Sequence, residues 1–274
     1  MGRAAAGLGL SLAIAWAGYR LKALSHSGAV GAILIGTLIM GIGGWLWGWL
    51  LVAFFVSSSV LSRYRSADKA AVQVEFAKGG RRDGGQVLAN GGLGAILALC
   101  SAVIGAWWAF PAYLGAMAAV NADTWATELG VLSRRAPRLI TTGRPVPPGT
   151  SGGVTALGLV AALAGGLFIG LAAWVGQWIA SFVGVSWPPG ITWWPLWAAA
   201  GGVAGALFDS LLGATVQGVY YCERCRKETE RSFHHCGTRT RRLRGWAWLN
   251  NDWVNFLSSL AGGLIAMELA IWFR

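Results

Sequence analysis

Apolar residues run through this chain in long blocks separated by short polar or charged segments, and the blocks approach the roughly 20 residues a helix needs to cross a bilayer. Eight spanning helices are predicted, at 4–19, 28–44, 45–62, 86–106, 110–132, 153–183, 193–217 and 252–273. The connection around Gly43 to Trp47 is the least marked boundary. Apolar stretches continue after the first one and no small-residue cleavage site follows it, so it reads as a membrane helix and not a signal peptide. The expectation is an all-α, polytopic membrane helix bundle of about eight transmembrane helices. Residues 1–274 would form a single integral membrane domain, with a small cytoplasmic Cys/His insertion at about 220–245.

Composition agrees: 55% of residues are hydrophobic and only 12% charged, and mean hydropathy is +0.54. If the chain alternates sides, the segment holding Arg20 and Lys22 shares a face with loops 63–85, 133–152 and 218–251. These carry 2, 6, 4 and 8 Lys/Arg, which is 20 of the 22 in the chain. Only Arg3 and Arg274 fall opposite, and the connections 107–109 and 184–192 have no charge. The positive-inside rule then puts both termini outside and the basic loops in the cytoplasm. A net charge of +11 therefore reads as orientation and attraction to anionic lipid headgroups, not as nucleic-acid binding. Many of the 17 Trp lie near predicted span ends, such as Trp107, Trp108, Trp187, Trp193, Trp194, Trp246 and Trp248, where interface anchoring accounts for them. The 41 Gly suit close helix packing, and a homo-oligomer is left open.

Five carboxylates interrupt the apolar blocks or their rims: Asp123, Glu128, Asp209, Asp252 and Glu268. A charge at the membrane centre costs roughly 2.5–3.5 kcal/mol on the most lenient scale, so such groups usually line a cavity. In the fifth span Asn121, Thr124 and Glu128 share a helical face, with Asp123 and Thr127 on the adjoining arc. Carboxylates with amide and hydroxyl oxygens suit a hard cation such as Mg2+, which often keeps substrate phosphate as a further ligand. The bland reading is a buried polar network that locks helix packing.

The seventh span ends with Asp209, Ser210, Gly213 and Gln217 within one arc. No intramembrane His stands by to activate Ser210, which argues against covalent catalysis. The eighth begins with Asn251, Asp252 and Asn255, followed by Ser258 and Ser259, too many polar groups for capping alone. Glu268 lies near the outer end without polar companions and is expected to snorkel.

Two connections add phosphate-binding candidates. The stretch Gly149, Thr150, Ser151, Gly152, Gly153 leads into the sixth span, where free N–H groups and the helix dipole favour an anion, although the same residues also serve as caps and close-packing devices. Before the fourth span, Arg82 can pair bidentately with phosphate, with Gln86 and Asn90 on the following helical face. Ser57, Ser58, Ser59, Arg63 and Lys69 add hydroxyls and positive charge nearby.

The last basic loop carries Cys222-x2-Cys225 and His234-x-Cys236, a Cys3His set that fits a structural tetrahedral zinc, with His235 as an alternative to His234. Four ligands would close the shell, which excludes a catalytic zinc; the competing reading is free cytoplasmic thiols. Cys100 is a lone membrane cysteine and reads as packing.

Taken together, Ser27-Gly28-Ala29, Phe54-Phe55 with Ser58-Ser59, Arg82-Asp83 with Gln86 to Gly91, Asn121-Ala122-Asp123-Thr124, Gly149 to Val154, Asp209 to Ala214 and Asn251-Asp252 with Val254-Asn255 resemble one integral membrane family. It contains transmembrane protein nineteen and the plant phytyl-phosphate kinase, and it is distantly similar to CTP-dependent polyprenol kinases and phosphatidate cytidylyltransferases. The resemblance implies phosphorylation of a prenyl monophosphate to its diphosphate, with a nucleoside triphosphate, CTP for preference, as donor and Mg2+ as cofactor. On that basis Asp123, Asp209 and Asp252 are expected to hold Mg2+. Glu128, Asn121, Thr124, Ser210, Asn251 and Asn255 would orient the reactants, and Arg82, Gln86 and Asn90 with Thr150 to Gly153 would bind phosphate, all at the cytoplasmic face. The alternatives are cytidylyl transfer giving a CDP-lipid, and an ion-coupled transporter; the one-sided grouping of carboxylates and the short uncharged outer connections weigh against transport.

Overall fold

The computed structural model describes residues 2–73, 81–185 and 190–273. Its helices are α1 (Gly2–Arg20), α2 (His26–Leu38), α3 (Trp45–Arg63), α4 (Ser66–Gln73), α5 (Gly84–Ile104), α6 (Ala109–Gly130), α7 (Ala156–Ser181), α8 (Trp194–Thr215) and α9 (Asn251–Trp272). A π-helical turn, Ile39–Gly43, extends α2, and the chain then reverses into α3 at Gly44, which has φ +91°. Every predicted span thus coincides with a long helix, yet among the described residues six helices are long and apolar enough to cross a membrane: α2 with its π-turn, α3, α5, α7, α8 with its preceding 3-10 turn, and α9. The expected count of eight is therefore not reached on length and apolarity. The other two long helices, α1 and α6, are diluted by Gly and by Arg3 and Arg20 in the first case and by the Asn121 to Glu128 polar run in the second.

The position of α6 explains how it carries that run. It packs against α3, α5, α7, α8 and α9 together, and its first two-thirds are buried inside the bundle. A helix shielded from lipid on all sides can keep carboxylates that a lipid-facing one could not. Small residues let the neighbours come close: a Cβ on Gly201 of α8 would lie 2.6 Å from the Gly262 carbonyl of α9, and one on Gly262 would lie 2.6 Å from the Gly201 carbonyl. Backbones at that separation exclude any larger side chain and pack with no hydrophobic drive required.

Outward faces are apolar instead. Val56, Ile96, Val103, Val160 and Leu171 are each more than half exposed, as expected for a surface solvated by lipid tails. Trp107, Trp193, Trp246 and Trp248 are exposed near helix ends as anchoring predicts, whereas Trp187 lies outside the described residues. Trp194 departs from that expectation. It is 2% exposed and packs in the core with its ring 4.9 Å from Phe110, because the turn before α8 folds it inward beneath α6.

Two small β elements sit on the connections. Strands β1 (Arg138–Leu139) and β2 (Gly153–Val154) pair antiparallel, and β3 (Val219–Cys222), β4 (Lys227–Thr229) and β5 (Arg241–Arg244) form an antiparallel sheet in the order β4-β3-β5 between α8 and α9. The basic segments meet: Arg82 N–H donates to the Ala23 carbonyl, and the Arg63 guanidinium reaches the Leu21 carbonyl at 2.5 Å.

Candidate functional site

A cleft of about 330 Å³ opens where these segments converge, within the size range of small-ligand sites. Its inner wall is the polar half of α6, with Asp123, Thr124, Thr127 and Glu128. Opposite stand Asp209 and Ser210 of α8, and the first turns of α9 contribute Asn251 and Asn255. Arg82, Gln86 and Asn90 close one side, while Thr150, Ser151, Gly152 and Gly153 close another. Residues from five separate stretches that sequence reading grouped by chemistry therefore face one space.

Local structure fixes each of them. Ser258 of α9, 4% exposed, donates its hydroxyl to Asp209 Oδ2 at 3.3 Å and so ties α8 to α9 at the cleft floor. Glu128 is held from both sides. Its Oε2 accepts from Lys69 Nζ at 2.5 Å and its Oε1 from Ser62 Oγ at 2.6 Å. Lys69 is fully buried and also donates to the Leu61 carbonyl at 2.7 Å, so α4 is pinned to the bundle through an ion pair at the cleft edge.

Arg82 donates to Ser59 Oγ at 3.1 Å and lies over the rings of Phe54 and Phe55, 5.9 and 5.7 Å from their centroids. Burial pushes its pKa down, and the negative charge of Glu128 opposes that shift. A guanidinium never loses its proton in this range, so the consequence is a desolvated cation with unspent attraction for an anion. Gln86 is partly committed: its Oε1 accepts from Asp83 N–H at 3.1 Å while Asp83 caps Gln86 N–H at 2.9 Å, the reciprocal box that starts α5.

Three sequence expectations change. Asp252 does not line the cleft, although Asn251 and Asn255 on either side of it do; it sits in the first turn of α9, where Asn250 Oδ1 accepts from the backbone N–H groups of Asp252 and Trp253. Asn121 does not line it either. It is fully buried one turn deeper, accepting from Ser57 Oγ at 2.9 Å and donating to the Gly165 carbonyl at 2.8 Å, a clamp joining α3, α6 and α7. Nor does the 149–153 stretch form the N-terminus of α7. Strand β2 intervenes, and Thr155 Oγ1 takes the Gly158 N–H at 3.0 Å as the cap. The stretch is a turn that enters the cleft instead. Gly152 sits there at φ +83°, with a would-be Cβ 2.5 Å from Ala214 of α8, so only glycine lets the turn lie against that helix.

Glu230 also lines the cleft, just beyond β4, and hydropathy gave no signal for it because it belongs to a charged loop. Gln217 Nε2 donates to Glu230 Oε1 at 2.9 Å, and Ser151 Oγ donates to Gln217 Oε1 at 2.8 Å. Arg244 donates to the Gly213 carbonyl at 2.7 Å and to the Ser151 carbonyl at 3.3 Å. Of these residues only Gln217 and Ser151 were legible in the sequence, as polar residues beside a helix end.

In the same β module the donor atoms of Cys222, Cys225, His234 and Cys236 all lie within 4.8 Å of one another, a group that can hold a metal ion. Cys222 Sγ is 3.6 Å from Cys236 Sγ, and His234 Nδ1 is 3.2 Å from Cys236 Sγ. His234 is buried and His235 exposed, with their rings 3.9 Å apart, which selects His234 between the two candidates. Hydrogen bonds from Thr238 and His234 bring the Cys236 thiol down to about 5, whereas the Cys236 bond holds Cys225 up to about 11. The downward shift at Cys236 favours the thiolate, the form that ligates metal.

An apolar groove of about 60 Å³ adjoins the cleft and shares Arg82, Gln86 and Asn90 with it; Leu24, Ile35, Phe54 and Phe55 form its walls. Charge and oxygen donors on one side of Arg82, and hydrocarbon on the other, match an amphiphile bearing an anionic head.

The comparisons with known proteins cover nearly the whole chain. Residues 9–263 match the family model described as integral membrane protein DUF92. Protein PGR of Arabidopsis thaliana is 36% identical over 266 residues, covering 92% of this chain and 90% of that protein. Uncharacterized membrane protein MJ0933 of Methanocaldococcus jannaschii is 30% identical over 246 residues, covering 90% and 85%. Protein VTE6, chloroplastic, of Arabidopsis thaliana is 27% identical over 252 residues, covering 89% of this chain and 64% of that protein. No solved structure matches. With its helical membrane architecture and a match over residues 9–263, the chain belongs to the integral membrane protein family DUF92.

Proposed function

We propose that the chain is a membrane phosphotransferase that converts a prenyl or similar lipid monophosphate to the diphosphate, with a nucleoside triphosphate, CTP for preference, as donor. The observation that carries this reading is the junction at Arg82. A cleft with Asp123 and Asp209 on facing helices meets an apolar groove there, so an anionic head and a hydrocarbon tail would be bound on either side of one cation. The motif resemblance to phytyl-phosphate kinase and the match to VTE6 support it.

In this reading Asp123 and Asp209, with oxygen donors such as Ser210 and Thr127 nearby, fit Mg2+, a hard cation that would supply charge neutralisation on the transferring phosphoryl group. Asp252 is left to a supporting role beside Asn251 and Asn255. Arg82 and the Thr150 to Gly153 turn would hold phosphate oxygens, and Asn90 and Thr124 would orient them. The lipid phosphate is already an oxyanion. One of its oxygens forms a bond to the γ-phosphorus, the β–γ bridging bond breaks, and the nucleoside diphosphate leaves with that electron pair, so no strong general base is called for. Positive-inside bias puts the cleft at the cytoplasmic face. The Cys222, Cys225, His234, Cys236 group suits structural Zn2+.

The test is incubation of purified protein with Mg2+, prenyl monophosphates and CTP labelled separately at its α- and γ-phosphates. Label from the γ position in a lipid diphosphate is expected, and it should be lost in D123N and D209N that still assemble. Label from the α position in a CDP-lipid would replace the proposal with cytidylyl transfer. Absence of both labels across several nucleotides and acceptors would overturn both and turn attention to transport.

A further inference from the structure

The β3-β4-β5 module is too polar to fold by burial. Between Val219 and Arg244 it carries eight Lys/Arg, and its buried residues are few: Val219, Cys222, Thr229 and His234. Segments well below about 40 residues usually need a metal, a disulfide or a partner surface to hold a shape. Here the metal-ligating group supplies the missing centre. Tetrahedral zinc with Zn–S bonds of ~2.3 Å puts two thiolates ~3.8 Å apart, and Cys222 and Cys236 already stand 3.6 Å apart.

The placement of Glu230 gives this cluster a consequence. Cys225 lies five residues before Glu230 and His234 four residues after it, so the segment that presents the carboxylate is clamped at both ends by ligands of one ion. From there Glu230 reaches the cleft and takes the Gln217 hydrogen bond, Gln217 takes the Ser151 hydroxyl, and Arg244 braces Ser151 and Gly213 from the next strand. Module and cleft turn are therefore one hydrogen-bonded unit.

We infer that a single structural Zn2+ held by Cys222, Cys225, His234 and Cys236 positions Glu230 in the cleft and braces the Ser151 turn, so that the site depends on an ion that never touches the substrate. The ion fixes the two ends of a short segment, the segment fixes one carboxylate, and that carboxylate joins Asp123 and Asp209 in lining the cleft. The turnover part of this inference rests on the phosphotransferase reading above; the zinc and ordering parts do not.

Four measurements on the purified full-length chain test it: metal content, amide hydrogen exchange before and after removal of metal with 1,10-phenanthroline, turnover, and the same set on C225S, E230Q and the double variant. About one zinc per chain is expected in wild type and E230Q, and none in C225S. Chelation should raise exchange at 227–232 and at Ser151 to Gly153 while the amides of α6 to α9 keep their protection. E230Q, with zinc and protection intact, should lose about tenfold or more in turnover, a loss E230D partly restores. C225S with E230Q should be no slower than the slower single variant, because both act through one carboxylate. Wild type that holds no zinc even after zinc titration overturns the inference. So does chelation that leaves exchange unchanged, or E230Q turning over at the wild-type rate. If wild type itself phosphorylates no lipid, the phosphotransferase reading fails, and metal content and exchange still decide whether zinc orders the module.

Discussion

Lys69 to Met is the perturbation that isolates the ion pair at the cleft edge. The Lys69 side chain is 0% exposed and that of Glu128 14%, and Nζ spends its donors on Glu128 Oε2 at 2.5 Å, the Leu61 carbonyl at 2.7 Å and the Ser62 carbonyl at 3.4 Å. Methionine keeps most of the stem volume and removes the charge together with its three hydrogen bonds, leaving the Glu128 carboxylate without its closest cation. Breaking one side of a buried pair costs about 3–5 kcal/mol, against about 0–1 kcal/mol for a solvated surface pair. Arg82 also attracts Glu128, which places the expected loss toward the lower end of that range. Unfolding in mixed micelles followed by SDS titration measures it. Adding E128Q removes the stranded charge, so the double variant is expected to recover at least about 1.5 kcal/mol, the coupling such a cycle reports for contacting groups. If K69M costs less than about 1 kcal/mol, or if E128Q adds its own full loss on top, the pair is solvated and α4 is not anchored as described.

Other outcomes follow from single contacts. G152A is strained twice, by a left-handed backbone at φ +83° and by a Cβ 2.5 Å from Ala214; left-handed strain of about 1–2 kcal/mol and overpacking of about 1–3 kcal/mol should lower the unfolding midpoint measurably and displace the turn, and an unchanged midpoint would contradict the placement. H234A should lose bound zinc while H235A keeps it, read by metal analysis, because only His234 joins the three thiols. R82Q should raise the KM for lipid phosphate about tenfold or more with a smaller change in kcat, since a desolvated guanidinium contributes binding to the anion before and during transfer. An unchanged KM would move the phosphate site elsewhere in the cleft.

Period and composition found the helices because a lipid-solvated bundle must write its spans as apolar blocks, and all eight blocks became long helices. What hydropathy cannot express is depth. The Ala- and Gly-rich α1 and the polar α6 fall short as spans for different reasons, and α6 is tolerated because other helices surround it. The same limit explains Asn121 and Asp252. A helical wheel orders residues by angle and not by depth or by local packing, and neither the buried Asn121 nor Asp252 in the first turn of α9 lines the cleft despite sharing an arc with residues that do. Trp194 fails in the same manner, since proximity to a span end in sequence does not fix which way a turn folds.

Glu230 carries the opposite lesson, a residue that faces the cleft with no helical arc to announce it. It sits in a loop rich in charged residues, and the one signal near it was the Cys/His spacing, which speaks of folding and not of a site. The two become one argument once Gln217 and Ser151 connect the module to the turn beside Asp209. Membrane helices can present carboxylates only where other helices bury them, which limits how many α6 and α8 alone can bring to one point. An insert between two helices escapes that limit, but its small size leaves it with few buried residues, and the zinc inferred above would supply the rigidity that packing cannot. The insertion between α8 and α9 is in that sense a way to add one more placed charge to a cleft whose other carboxylates come from the helices α6 and α8.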